Sequence, residues 1–314
     1  MSDQAVTPGA GPVLAFDVGG TDIKSGVVVA GHDIVGLKRS PTPRTQANPG
    51  EAVLEAIAAL VAAYRTENLD FGAIGFVVPG LVDEKRGIGI HSTNLGWRDF
   101  PFLERARSLL NVPVAFGHDV AAAGEVEFLY GAARESTDAI VMVNGTGIAA
   151  AVFCDGRRIS GGGYAGEYGH ALVPDPDDPT RSVILESIGS AGAIATRYSR
   201  ASGQAVQGSR EVLELARSGN KDAQRVWDQA IEALAFSIAQ SVCMLGTETV
   251  VIGGGLAQAG EALFAPLHVA VDRQLALPRR PRLVPAVMGE NAGLLGAALK
   301  ARQQLAPSVE GARP

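Results

Sequence analysis

Cysteine is almost missing from this chain: Cys154 and Cys243 are the two in 314 residues. Two thiols cannot build a disulfide framework or a cysteine-rich zinc site, and Cys243, set in an apolar helical pattern, is expected in the core. A basic excess is missing too. Acidic residues outnumber basic ones by 33 to 27, the formal charge is -6 and the pI is near 5.5. Proteins that bind duplexes gain affinity by releasing counterions with a basic face, so no nucleic-acid partner is expected. The one arginine cluster, Arg279, Arg280 and Arg282, reads as a solvated loop. No long hydrophobic run exists either. The longest, 139–154, is interrupted by Asn144, Gly145, Thr146 and Gly147; it is too broken to span a bilayer and predicts two strands around a turn. The first ten residues lack the apolar stretch of a secretory signal. No membrane association is expected, and the expected compartment is the cytoplasm. Finally, a G-x-x-x-x-G-K-[ST] string occurs nowhere, which excludes a P-loop nucleotide site.

What is present is a globular composition: 46% hydrophobic and 19% charged residues, with a mean hydropathy of +0.15. The length suggests two domains. Runs rich in β-branched residues at 13–18, 24–30 and 34–39 are linked by glycine turns and predict a meander, followed by a helix over 51–65, a strand over 73–78, a helix over 102–110, a strand over 114–116 and a helix over 120–130. At residue 139 the pattern restarts. Strands over 139–143, 148–153 and 157–159 precede helical runs at 185–200, 210–217 and 222–245, a strand at 249–252, a helix ending near 275 and a last helix at 292–304. Two copies of one topology imply two lobes with a cleft between them, where small-molecule sites prefer to sit. The chain divides accordingly into a flexible tail (1–12), an N-terminal lobe (13–118 with 299–314) and a C-terminal lobe (119–298).

Five motifs carry chemistry. In Asp17-Val-Gly-Gly-Thr21, Gly19 and Gly20 permit close backbone approach, while turn amides and the Thr21 hydroxyl can donate to phosphate oxygens. Asp17 can hold Mg²⁺ through its bound water. Gly145-Thr146-Gly147 repeats that chemistry in the second meander, and this repetition weighs against two chance hairpin turns. Gly253-Gly254-Gly255 follows an apolar strand and suits the base and ribose of a nucleotide, although an ordinary strand–helix turn looks the same. Asp119 stands where a helix begins, as an N-cap or as a base that accepts a hydroxyl proton. Glu167-Tyr-Gly-His170 with Glu186 offers two carboxylates and an imidazole, a set suited to sugar hydroxyls and foreign to an apolar core.

Together with Pro79-Gly80-Leu-Val-Asp83, Asn94-Leu-Gly-Trp97, Glu125 and Ala292-Gly-Leu-Leu-Gly-Ala297, these motifs resemble the ROK family of sugar kinases and sugar-responsive repressors, over about 13–299. The resemblance implies an α/β, two-lobed actin-like (ribonuclease H-like) ATPase fold with a duplicated mixed sheet. It implies ATP and Mg²⁺ as cofactors and a hexose as substrate, phosphorylated glucokinase-like at O6. Another hexose, an N-acetylhexosamine or fructose is the alternative acceptor, and polyphosphate the alternative donor. It also implies Asp119 as catalytic base; Glu167, His170 and Glu186 as hydroxyl ligands; Gly80, Thr93 and Asn94 lining the acceptor pocket; Asp17, Gly19, Gly20, Thr21, Gly145, Thr146 and Gly147 at the phosphates; and Gly254 and Gly255 at the adenosine. A homo-oligomer, dimer or tetramer, is implied as well. A repressor would carry a helix-turn-helix domain before the first phosphate turn, and sixteen residues precede Asp17, too few for one. A sugar-binding protein without catalysis is disfavoured by the retained Asp17, Thr21, Asp119 and Thr146. Two departures stand out. His118 replaces the Asn that the family places before the catalytic Asp, so it is expected to contact the sugar in that residue's stead. The stretch 171–185 lacks the cysteines of the zinc loop found in many relatives, so no structural zinc is expected.

Overall fold

Each of two sheets is an antiparallel meander extended by two parallel strands, in a computed structural model that describes residues 11–276 and 279–305. In the first, β1 (Val13–Val18), β2 (Asp22–Val28) and β3 (Ile34–Pro41) form the meander. Helix α1 (Pro49–Thr66) leads to β4 (Ala73–Val78), which pairs parallel to β1. A small sheet of β5 (Leu81–Asp83), β6 (Ile88–His91) and β7 (Arg98–Phe100) precedes α2 (Phe102–Leu109). Strand β8 (Val114–His118) then pairs parallel to β4 and runs straight into α3 (Asp119–Tyr130). The order is β3-β2-β1-β4-β8.

The second sheet repeats this plan. Strands β9 (Ala139–Asn144), β10 (Ile148–Cys154) and β11 (Arg157–Ile159) form the meander. A hairpin of β12 (Leu172–Asp175) and β13 (Asp178–Ile184) is followed by α4 (Glu186–Gly189), α5 (Ala191–Ser202), α6 (Ser209–Arg217) and α7 (Lys221–Leu245). Strand β14 (Thr249–Gly253) pairs parallel to β9; after α8 (Glu261–Gln274), β15 (Arg282–Pro285) pairs parallel to β14. The order is β11-β10-β9-β14-β15. The last helix, α9 (Ala292–Gln303), returns to pack on β1, β4 and β8.

The described residues form two compact units, one comprising those through Val126, Gly162–Tyr164 and those from Glu290, the other those within Glu127–Gly161 and Ala165–Gly289. The divisions therefore fall within α3 and just before α9, not at 118/119 and 298/299 as the sequence suggested, because the first two turns of α3 and the whole of α9 belong to the first unit. Residues 1–10 of the expected tail and 306–314 of the expected N-terminal lobe lie outside the described residues.

Burial explains the strand assignments. Strand β4 is buried at every position, as a parallel strand covered on both faces must be, whereas the edge strand β3 is largely open. The first unit's core is aromatic, with Phe102 stacked on Phe116 at 5.3 Å and Trp97 edge-on to Phe102 at 5.0 Å. In the second unit, α7 supplies the long apolar face, including Trp227, Ile231, Leu234 and Ile238. Among the described residues, no helix is long and apolar enough to cross a membrane.

Three expectations need correction. Cys243 is exposed, not core: Val242 takes the buried face of α7, and one residue further turns about 100° away. The run 185–200 is two helices, because Ser190 is extended and its hydroxyl accepts the Ala193 amide at 2.9 Å, starting α5 anew. Arg282 opens β15 and donates to Thr249 Oγ1, so only Arg279 and Arg280 of the cluster belong to the loop.

Candidate active site

In the first unit the expected residues gather at the carboxyl ends of the parallel strands, the side of an α/β sheet that binds ligands. The turn Gly19-Gly20-Thr21 joins β1 to β2. Neighbours hold its shape: Thr42 Oγ1 donates to the Gly19 carbonyl at 2.8 Å, the Thr42 amide donates to the Thr21 carbonyl at 2.9 Å, and Arg44 donates to the Gly20 carbonyl at 2.7 Å. Thr21 itself is exposed. Asp17, next to last in β1, is driven by burial and then by the charge of Asp119 from an ordinary 3.8 to about 6, with Lys24 and Arg39 opposing. The structure thus brings together two carboxylates that lie a hundred residues apart in sequence. Their mutual repulsion is of the kind that a divalent cation such as Mg²⁺ would relieve.

Asp119 is the first residue of α3, and its Oδ1 accepts the Val120 amide at 2.7 Å. The expected N-cap role falls to its neighbour instead: the Ala121 amide donates to His118 Nδ1 at 3.3 Å. Cap geometry explains the difference, since the side chain just before the first helical residue is the one that reaches the third helical amide. His118 Nε2 lies 3.1 Å from Asp119 Oδ1. Gly80 follows β4 with φ +94 and packs against the backbone of His91 and Ser92, so it meets the segment carrying the exposed Thr93 and Asn94.

Glu84, Glu125 and Lys300 escaped the sequence reading as a set. The Lys300 ammonium, nearly buried, lies 3.2 Å from Glu84 and 3.3 Å from Glu125, and the other Glu84 oxygen accepts the His118 amide at 2.9 Å. The one available signal was a lysine inside the apolar run of α9. Lys24, nearly buried in β2, is the second missed residue; its ammonium donates to the Glu290 carbonyl.

In the second unit, Gly145-Thr146-Gly147 joins β9 to β10. The Gly192 amide donates to Gly145, and Asn144 bonds Gly189 and Ala191, tying the turn to α4 and α5. Glu186 opens α4, and its Oε2 accepts the Ile148 amide at 2.8 Å. A Cβ at Gly147 would lie 2.5 Å from that oxygen and one at Gly169 3.0 Å, so two glycines make room for the carboxylate. Glu186, the Gly147 turn and the Glu167–His170 segment therefore meet. That segment is anchored by Tyr168, whose hydroxyl pairs with Ser241 at 2.9 Å and is raised well above its ordinary value by burial. Glu167 is half-buried and His170 exposed.

Gly254, at φ +82, leaves no space for a Cβ against the Asn144 carbonyl, so the third glycine element abuts the second turn. Beside it a pocket of about 300 Å³ is lined by Gly255, Leu256, Gln258, Arg210, Leu213 and Trp227 among others. Where relatives carry a zinc loop, this chain has the β12–β13 hairpin, whose Asp177 bonds Arg197 at 3.0 Å and Gln229 at 3.1 Å. Among the described residues no group of three or more metal-ligating side chains occurs.

A glucokinase from Halalkalibacterium halodurans is 27% identical over 93% of this chain and 95% of its own. A ROK hexokinase structure from Thermus thermophilus matches with a TM-score of 0.79 at 32% identity, covering 94% of this chain and 99% of that one. A ROK family glucokinase from Streptomyces griseus, solved in complex with glucose and AMPPNP, matches at 0.76 and 28%, covering 93% and 99%. The fold is accordingly the duplicated actin-like, ribonuclease H-like α/β fold, as its two equivalent strand orders require. The ROK family model spans residues 13–304, nearly the whole chain and both sheets, and the chain belongs to the ROK family.

Proposed function

We propose that this ROK protein is an ATP-dependent hexose kinase acting glucokinase-like at O6. The observation that carries the reading is the pairing of Asp119 with Asp17 at the carboxyl ends of β8 and β1, beside a glycine turn built for phosphate. Asp119 orients the primary hydroxyl of the sugar and takes its proton as the γ-phosphoryl group transfers. Glu167, His170 and Glu186 bind sugar hydroxyls, and Gly80, Thr93 and Asn94 line the acceptor side. Amides and hydroxyls of the Gly19–Thr21 and Gly145–Gly147 turns hold the phosphates, and the pocket beside Gly255 takes the adenosine. Asp17 would hold Mg²⁺, which would supply charge neutralisation on the transferring phosphates. Transition states of this kind are loose, so positioning and electrostatics carry most of the acceleration. ATP and free hexose meet in the cytoplasm, where we place the reaction.

The test is a coupled assay of ADP release across glucose, mannose, fructose and N-acetylhexosamines, with polyphosphate as a competing donor. Sugar-dependent ADP release with glucose as the preferred acceptor is expected. Release no faster with any sugar than without would overturn the reading.

A further inference from the structure

Histidine is an unusual cap, because imidazole accepts a hydrogen bond only at a nitrogen that carries no proton. The Ala121 amide donates to Nδ1 of His118, which places the single proton of the neutral ring on Nε2. That nitrogen faces Asp119 Oδ1 at 3.1 Å, and the same oxygen accepts the Val120 amide at 2.7 Å. The backbone beneath is equally constrained: the His118 amide donates to Glu84, and Glu84 is held by Lys300, which also reaches Glu125 on α3. The imidazole therefore accepts from the helix at one nitrogen and lies against the carboxylate at the other, with its own main chain tied through Glu84 to Lys300 on α9.

We propose that His118 is a positioning residue for Asp119: it holds the carboxylate's orientation through the 3.1 Å contact of Nε2 with Oδ1 and is not a ligand of the sugar hydroxyls. The inference rests on Asp119 being the base. It also explains how a histidine can stand at a position where the family carries asparagine, since both side chains present an acceptor on the γ-substituent to the same helical amide. The gain peculiar to histidine is the second contact, to the carboxylate. A carboxylate released from this contact samples unproductive rotamers, and a displacement of about 1 Å at a reacting group costs roughly a hundredfold in rate.

Asparagine and glutamine separate the two ring contacts. His118→Asn keeps an acceptor where Nδ1 was and has no donor at the Nε2 position; His118→Gln does the reverse. Expected for His118→Asn is a roughly 10–100-fold fall in kcat, with the sugar KM unchanged within about twofold and the melting temperature preserved. His118→Gln recovers part of the kcat while lowering the melting temperature. In an Asp119→Asn background, His118→Asn costs nothing further, because the residue it positions is already disabled. A raised sugar KM with unchanged kcat and a reordered hexose ranking would show a hydroxyl ligand and overturn the inference. Unchanged kcat in His118→Asn with a lowered melting temperature in His118→Gln would show a cap alone, and equal losses in both backgrounds an independent role; either also overturns it. The base assignment fails separately, if Asp119→Asn by itself retains near-wild-type kcat.

Discussion

Two carboxylates set the behaviour of the first unit at the residue scale, and they make different predictions for stability. Asp119→Asn keeps the size and the hydrogen bonding of the helix start but removes the proton acceptor. Its kcat should fall about 10²–10⁴-fold, while sugar affinity and melting temperature, measured on the same preparation, stay near wild type. Asp17 is held ionised at a cost. Its folded pKa is raised from 3.8 to about 6, so the stability linked to it is fully present below about pH 4 and lost as the pH rises through 6. Two pH units correspond to roughly 3 kcal/mol. Asp17→Asn should therefore match wild type in urea unfolding at pH 4 and exceed it by up to about 3 kcal/mol at pH 8 without Mg²⁺, while losing turnover. Equal stability of the two proteins at pH 8 would show that the burial of this carboxyl carries no cost.

Single elements are tuned by what packs against their ends. The start of α3 depends on α9 through Lys300, whose ammonium neutralises Glu84 and Glu125 in a nearly buried setting. Lys300→Met leaves two facing carboxylates without a counter-charge, a change that typically costs about 3–5 kcal/mol; the shift in urea midpoint at pH 7 measures it. The start of β10 depends in the same way on α4. Gly147→Ala places a methyl 2.5 Å from Glu186 Oε2, and that carboxylate, at the end of a side chain, has to move. The expected result is a sugar KM raised about tenfold, on the order of one hydrogen bond to a charged group, with only a small change in melting temperature. An unchanged KM would remove Glu186 from the sugar-binding set.

For the whole molecule, the β12–β13 hairpin is tied to α5 and α7 by Asp177 through Arg197 and Gln229, with Arg225 adding a longer contact, and the stretch 171–185 has no cysteine to bind zinc. Elemental analysis of protein purified without chelator should find well below one zinc per chain; a stoichiometric metal would contradict the reading of this segment.

Much of this was legible in the sequence. Strand–turn–strand units with glycine and threonine at the turn declare themselves locally, through period-two apolar runs and residues that tolerate close approach, and so both meanders and the glycine turns that join their first two strands were placed correctly. The strands β5, β6, β7, β12, β13 and β15 were not, because runs of three or four residues carry too little periodicity and the polar start of β13 hides its alternation. Cys243 was misplaced for a related reason: helical periodicity gives a face its width but does not say where that face ends. What only the tertiary structure decided are the long-range pairings: Asp17 with Asp119, Glu186 with Gly147, Lys300 with Glu84 and Glu125, and the Glu84 carboxylate with the His118 amide. Local pattern is written in neighbouring residues, where propensity and spacing act. Charge balance, carboxylate orientation and the space a missing Cβ opens arise only when separate segments are brought within a few ångströms.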